Sequence, residues 1–188
     1  MTIEPTKIQG VYVCVPKVHE DERGFFMESY RQDFFSEAGI TDVFVQDNHA
    51  RSMVRNTVRG LHFQWHPPIA KLVRVTRGKA FLVAVDIRKN SPTLAQWVSI
   101  EASEENKKQF YVPAGCAFGY QTLTDDCEVQ YKCSATYNPE GEGAIVWNDP
   151  EIGIDWPIKD PPLLSKHSKE AGSLQDWLSD SRSEFAIF

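Results

Sequence analysis

The sequence predicts an all-β protein of antiparallel strands, closed as a sandwich, jelly roll or barrel with an enclosed mouth. Three observations carry this. About eleven short runs are rich in β-branched and aromatic residues and end at Gly, Pro, Asn or Asp. Parts of several alternate: in KLVRVTRG, Leu72, Arg74 and Thr76 fall on one face and Val73, Val75 and Arg77 on the other. Helical pattern is confined to RQDFFSEAG, near residues 31–39, and to the C-terminal SLQDWLSDSRSEF. With few helices between strands, parallel pairing lacks its usual crossovers.

In chain order the runs are VYVCVPKV, GFFMESY, VFVQDNHARS, GLHFQW, AKLVRVTRG, KAFLVAVDIR, AQWVSIEAS, KQFYVPAG, CAFGYQTL, EVQYKCSATY and AIVWND. Breakers separate neighbours. Gly24 opens the second run, Pro67 and Pro68 stand between GLHFQW and AKLVRVTRG, and Gly78 precedes KAFLVAVDIR. Pro113 and Gly115 divide KQFYVPAG from CAFGYQTL, and Asp125 and Asp126 precede EVQYKCSATY. Barrels of this kind often carry a ligand site inside, on inward-facing strand residues.

The chain of 188 residues is expected to form one domain, 1–188. Hydrophobic residues at 41% and charged residues at 24% suit a globular core and exclude wholesale disorder. A net charge of −6 argues against nucleic acid as main partner, while a local arginine cluster can still hold an anionic small ligand. No apolar run approaches the ~20 residues that span a bilayer. MTIEPTKIQG lacks the basic-then-apolar plan of a secretory signal. The four cysteines contain no CxxC pair and read as free thiols, so a cytoplasmic location is expected.

His62 and His66 invite a metal reading. On an extended strand, positions four apart lie roughly 13 Å from each other, too far to share one ion unless the chain bends. No third histidine lies in the central strands, and Phe118 occupies the VPAGCAFG segment where metal-binding cupins of this pattern place a histidine. No metal or other cofactor is expected, and His66 reads as a loop residue. The acid/base reading does better. Histidine suits proton acceptance near neutral pH. Lys71 comes back beside His62 if His66–Ile69 form a turn, and Tyr131 in EVQYKC is placed to point inward. A base, a cation and a phenol around one cavity suit proton abstraction next to a carbonyl. Packing or solvated roles for each residue alone stay open. Arg23 and Arg59 each precede a glycine and enter an apolar strand. Each calls for a phosphate or carboxylate partner, with internal pairing to Glu28 or another carboxylate as the alternative.

The motifs DERGFFMESY, FVQDN, RGLHFQ, KLVRVTRG, VAVDIR-x-x-SPT, QWV, VPAG-x-A-x-G, YK, Y-x-P-x-x-E and WNDPEIGIDWP occur in that order. They resemble the nucleotide-sugar 3,5-epimerases typified by dTDP-4-dehydrorhamnose 3,5-epimerase, over roughly residues 5–175. The resemblance implies a cupin-like β-jelly roll, or double-stranded β-helix, with a few short peripheral helices. It implies a homodimer that exchanges an N-terminal strand, metal-independent catalysis and a place in deoxysugar biosynthesis. Carried over, His62 is the proton acceptor, Tyr131 the proton donor and Lys71 the enolate stabiliser. Arg59 binds the diphosphate, helped by Arg23 of the exchanged strand. Phe26, Glu28, Gln46, Asn48, Phe118, Tyr137 and Glu142 complete the substrate-binding set. The implied activity is epimerisation of a nucleotide-linked 4-keto-6-deoxy sugar at the carbons beside the ketone, with inversion at C3 alone, or binding without turnover, as alternatives.

Three positions depart from the pattern. Phe118 stands where the family usually has a sugar-binding His. Leu82 stands where an Asp usually accompanies the lysine. Ser168 stands where an Asp usually bonds the catalytic histidine. A serine can hold the ring by accepting its Nδ1–H but adds no charge, and loss of such a carboxylate in a triad costs up to ~10⁴-fold in rate. The expectation is a surviving base–acid pair in a retuned pocket.

Overall fold

A computed structural model describes residues 1–185. Its strands are β1 (Thr2–Pro5), β2 (Tyr12–Val15), β3 (Val18–Asp21), β4 (Gly24–Met27), β5 (Gln46–Ser52), β6 (Val58–Gln64) and β7 (Lys71–Arg77), followed by β8 (Lys79–Asp86), β9 (Trp97–Ser103), β10 (Gln109–Val112), β11 (Cys116–Thr122), β12 (Cys127–Cys133) and β13 (Glu142–Ala144). Helices α1 (Gln32–Glu37), α2 (Lys166–Lys169) and α3 (Leu174–Ser179) are short and peripheral. One sheet has the order β1-β2-β10-β7-β12-β5 and the other β13-β6-β11-β8-β9; β3 and β4 form a separate hairpin. Every ladder is antiparallel.

Alternation decides which side chains meet between the sheets. Val73 and Val75 of β7, Leu82 and Ala84 of β8, Phe118 and Tyr120 of β11 and Val129 of β12 form the inner core. The opposite faces are also covered. Leu72 and Tyr111 pack under Phe35 of α1 and Ile40, and Val83, Val85 and Phe63 pack under Trp156, Leu174 and Trp177. Double coverage explains why KAFLVAVDIR reads as a nearly continuous apolar run.

Several boundaries differ from expectation. VYVCVPKV divides at Pro16 and Lys17 into β2 and β3, because proline cannot donate to a ladder. The polar TIEP run forms β1, paired to β2 at the sheet edge, where burial imposes no apolar pattern. AIVWND contributes only Ala144 to β13, after which Trp147 serves packing and its carbonyl accepts from Trp156 Nε1. The VFV of VFVQDNHARS stays outside β5, with Val43 and Val45 exposed. The C-terminal helix ends at Ser179 and a 3-10 turn covers Ser181–Phe185.

One irregularity positions the site. Against β11, His62 is level with Phe118 and Arg59 with Tyr120, so three steps along β6 match two along β11. This extra residue re-phases the strand. Leu61 and Phe63 point to the outer core, while Arg59 and His62 both line the space between the sheets. Gly60 makes the bulge: its φ is +130°, and a Cβ there would sit 2.4 Å from Gly119 Cα. Gly60→Ala is expected to destabilise the fold by ~2–4 kcal/mol and to lower activity by displacing His62 and Arg59, as read by denaturant unfolding and turnover.

Candidate active site

Proline-rich residues 65–70 carry the chain from one sheet to the other, with Trp65 bridged to Pro68. His62 therefore stands on the five-stranded wall and Lys71, with Tyr131 of β12, on the six-stranded wall. A cavity of about 420 Å³ opens between them, lined by Arg59, His62, Lys71, Phe118, Tyr120 and Tyr131 and closed by residues 163–168. A smaller lobe of about 100 Å³ shares His62, Lys71 and Tyr131 and adds Gln46, Asn48, Tyr137 and Glu142. The three proposed catalytic residues thus sit where the two lobes meet.

The smaller lobe is rimmed by a hydrogen-bonded chain. Gln46 Nε2 donates to Asn48 Oδ1 at 2.9 Å, Gln46 Oε1 accepts from Tyr137 N at 2.9 Å, and Tyr137 Oη donates to Glu142 Oε2 at 3.0 Å. Tyr131 is level with Asn48 across the β12–β5 ladder. At the other end, Arg59 Nε donates to Ser52 Oγ at 3.2 Å and Nη2 to the Arg51 carbonyl at 3.1 Å. Both partners are neutral, so the Arg59 charge faces the cavity without a carboxylate among the described residues. Internal pairing holds for Arg23, which binds Asp21, and for Glu28, which lies 3.5 Å from Arg31. Arg23, Phe26 and Glu28 ride the exposed hairpin β3–β4, and in the single chain they do not line the cavity.

Charge inside the cavity is dominated by cations. Burial, then the positive field of Lys71, His167 and Arg59, pushes His62 from 6.5 down to about 4. Burial lowers Lys71, with Cys133 and Glu142 opposing. Burial raises Tyr131 and keeps its phenol protonated, with an Asn48 hydrogen bond acting the other way. Leu82 is fully buried in the inner core and gives Lys71 no counter-ion; the Lys71 ammonium instead lies 5.7 Å from the centre of the Phe118 ring. Ser168 Oγ meets His62 through Nε2 at 3.4 Å, so the contact uses the other ring nitrogen from the Nδ1 expected. Ser165 Oγ supports Ser168, donating to its Oγ at 3.1 Å and accepting from its backbone N at 3.2 Å. His66 lies exposed in the turn, and its carbonyl accepts from Asn138 Nδ2. Among the described residues no group of three or more His, Cys, Asp or Glu converges as a metal-ligand set. Tyr120 was not singled out by sequence reasoning; it lies two residues past Phe118 on the same face, a spacing that could have flagged it.

Two antiparallel sheets around an internal pocket of imidazole, amine and phenol place the molecule in the cupin-like class of jelly-roll proteins. The family model for dTDP-4-dehydrorhamnose 3,5-epimerase matches residues 5–176. A protein of that name from Methanothermobacter thermautotrophicus is 49% identical over 173 residues, covering 91% of this chain and 93% of its own. Its namesake in Salmonella typhimurium is 48% identical over 180 residues, covering 95% and 98%. A dTDP-6-deoxy-D-glucose-3,5-epimerase from Legionella pneumophila Philadelphia 1, solved in complex with dTDP-4-keto-L-rhamnose, superposes with a TM-score of 0.92 at 43% identity, covering 99% and 97%. A 3'-monoepimerase from Streptomyces bikiniensis, solved with dTDP-quinovose, superposes at 0.86 with 34% identity, covering 92% and 87%. The chain belongs to the dTDP-4-dehydrorhamnose 3,5-epimerase family.

With His62 held near 4, the imidazole of the free protein is neutral above that pH. The acid limb of kcat/KM is therefore expected near pH 4, well below the ordinary ~6.5 of histidine. Ser168→Asp places a carboxylate beside Nε2 and should move that limb upward by one pH unit or more, as measured by the pH–rate profile.

Proposed function

We propose that this protein epimerises a nucleotide-linked 4-keto-6-deoxy sugar, dTDP-linked in the first instance, by proton abstraction and return beside the C4 ketone. The observation that carries the reading is the placement of base and acid on opposite walls: His62 on the five-stranded sheet, Tyr131 on the six-stranded sheet. A sugar ring held between them loses a proton to one wall and regains one from the other, which inverts the carbon.

The steps follow from these groups. Both C3 and C5 lie next to the ketone, so each carries an acidic hydrogen. Neutral His62 takes that hydrogen as a proton, and the C–H electron pair moves into the enolate. Lys71, buried beside both, stabilises the enolate oxygen. Tyr131, kept protonated by burial, donates to the opposite face of the same carbon. Proton exchange with solvent restores imidazole and phenol. Arg59 holds the diphosphate, and Gln46, Asn48, Tyr137 and Glu142 hold the rest of the ligand around the smaller lobe. Phe118 gives the sugar an apolar wall. The base needs help, since an acceptor near 4 is weak. A bound diphosphate beside Arg59 and a forming enolate beside Lys71 both offset the cationic field, so His62 becomes more basic in the complex.

The reaction runs without a metal, because His62, Lys71 and Tyr131 together supply base, electrophile and acid. A homodimer is part of the reading: Phe25 and Phe26 are 58% and 69% exposed on a hairpin outside both sheets, and exchange of that hairpin would bring Arg23, Phe26 and Glu28 to a partner's cavity. Four unbridged, buried cysteines fit a reducing, cytoplasmic setting. No helix among the described residues is long and apolar enough to cross a membrane. Inversion at C3 alone is the second reading, supported by the likeness to the Streptomyces bikiniensis 3'-monoepimerase.

Incubation with dTDP-4-keto-6-deoxyglucose in heavy water tests these readings. Deuterium at both C3 and C5 supports double inversion, deuterium at C3 alone supports the single one, and no exchange overturns catalysis. His62→Ala should abolish exchange, Tyr131→Phe should impair product formation more than initial proton loss, and Lys71→Met should lower kcat ~10²–10³-fold. Turnover unchanged by a chelator is expected. In sedimentation, Phe25→Asp with Phe26→Asp should turn a dimer into monomers.

A further inference from the structure

Tyr120 is a polar cavity residue that the mechanism leaves unused. It is 3% exposed, yet its hydroxyl has no hydrogen-bond partner among the described residues. A buried, unpaired hydroxyl is a standing cost to the free protein. Its ring lines the larger lobe. Across the β11–β6 ladder Tyr120 is level with Arg59, so the two side chains stand side by side on the inner face. The neighbouring Ser52 Oγ accepts from Arg59 Nε at 3.2 Å and keeps its own proton to donate. Burial lifts the phenol to about 12; the Arg59 charge and the Ser52 hydroxyl, whose approach to the phenol oxygen falls short of full hydrogen-bond geometry, act the other way.

Resting on the sugar-nucleotide reading of this cavity, we propose that Tyr120 is a second diphosphate-binding residue, its hydroxyl donating to the phosphate oxygen that Arg59 draws in. The phenol stays a neutral donor across the working pH range. Arg59 contributes charge and Tyr120 contributes direction. An anion that reaches the guanidinium arrives beside a phenol whose own O–H has no acceptor among the described residues. The same contact would fix the sugar end of the diphosphate relative to His62, which lies level with Phe118, two residues along β11.

The phenol's role is tested with Tyr120→Phe, which removes one oxygen and leaves the ring in place. Calorimetric titrations use dTDP, inorganic pyrophosphate and thymidine as probes. The variant is expected to bind dTDP and pyrophosphate ~10-fold more weakly, with thymidine unchanged. The free variant should melt at the wild-type temperature or ~2 °C above it, since an unpaired group has been removed. Unchanged dTDP and pyrophosphate affinity overturns the proposal. A lower melting temperature also overturns it, because the hydroxyl would then have a structural partner such as Ser52. An equal loss for thymidine overturns it as well, by showing a general change of the pocket. If the wild type binds pyrophosphate through Tyr120 but neither dTDP nor the 4-keto sugar nucleotide, the anion site stands and the sugar-nucleotide reading falls. If the wild type binds none of the probes, both fall.

Discussion

The cavity depends on a close backbone approach between β6 and β11. Gly60 and Gly119 lie so near that neither tolerates a side chain without movement of the other strand. The extra residue of β6 at this point changes the phase of everything after it. A regular strand would put Arg59 on the face of Leu61 and send one of Arg59 and His62 into the outer core. The bulge turns both inward, opposite Tyr120 and Phe118. The outer half of the strand keeps Leu61 and Phe63 for packing against the C-terminal cover. One local irregularity therefore reconciles a fully packed strand with a polar site.

The second determinant is electrostatic. Lys71, His167 and Arg59 all act on His62, and no carboxylate answers them at the ring. A histidine in such a field is neutral and available at physiological pH, but its affinity for a proton is low. The anionic ligand and the enolate are themselves the missing negative charges. On the proposed mechanism, basicity is assembled by binding, which ties proton abstraction to an occupied cavity. Phe118 fits this arrangement, since an aromatic face accepts the Lys71 ammonium without removing its charge from the reaction.

Much of this was legible in the sequence. Strand identity was, because β7, β8 and β12 carry strong alternation or continuous apolar runs fixed by burial on known faces. The inward side of Tyr131 followed from that alternation, and the place of Lys71 beside His62 from a turn over His66–Ile69. β1 was not legible, since it has little to bury; GFFMESY was legible as a strand, but not that β3–β4 stands apart from both sheets. The shared face of Arg59 and His62 was also hidden, since period-two counting cannot place two residues three apart on one side. The bulge that allows it shows in the sequence only as Gly60 and Gly119 on strands far apart in the chain. The positions of Arg23, Phe26 and Glu28 depend on what the exposed hairpin packs against, which no single-chain pattern encodes. Tyr120 passed as one aromatic among several, because an unpaired hydroxyl becomes visible only when its neighbours are counted.

Residues 163–172 are tied by backbone near both ends and packed between, with Leu164 against the outer core and Ser168 buried. Leu163 is zipped to Asn56 and Val58 at the start of β6, and Gly172 accepts from Val146 N. Ser168 sits midway and touches His62 by its side chain alone. Neither backbone attachment uses that side chain, which is buried and accepts from Ser165 Oγ within the segment. Sequence drift at this point changes the chemistry beside His62 while both backbone attachments stay in place. Two homologues that share every strand and both attachments can therefore still part company at the one small side chain that meets His62.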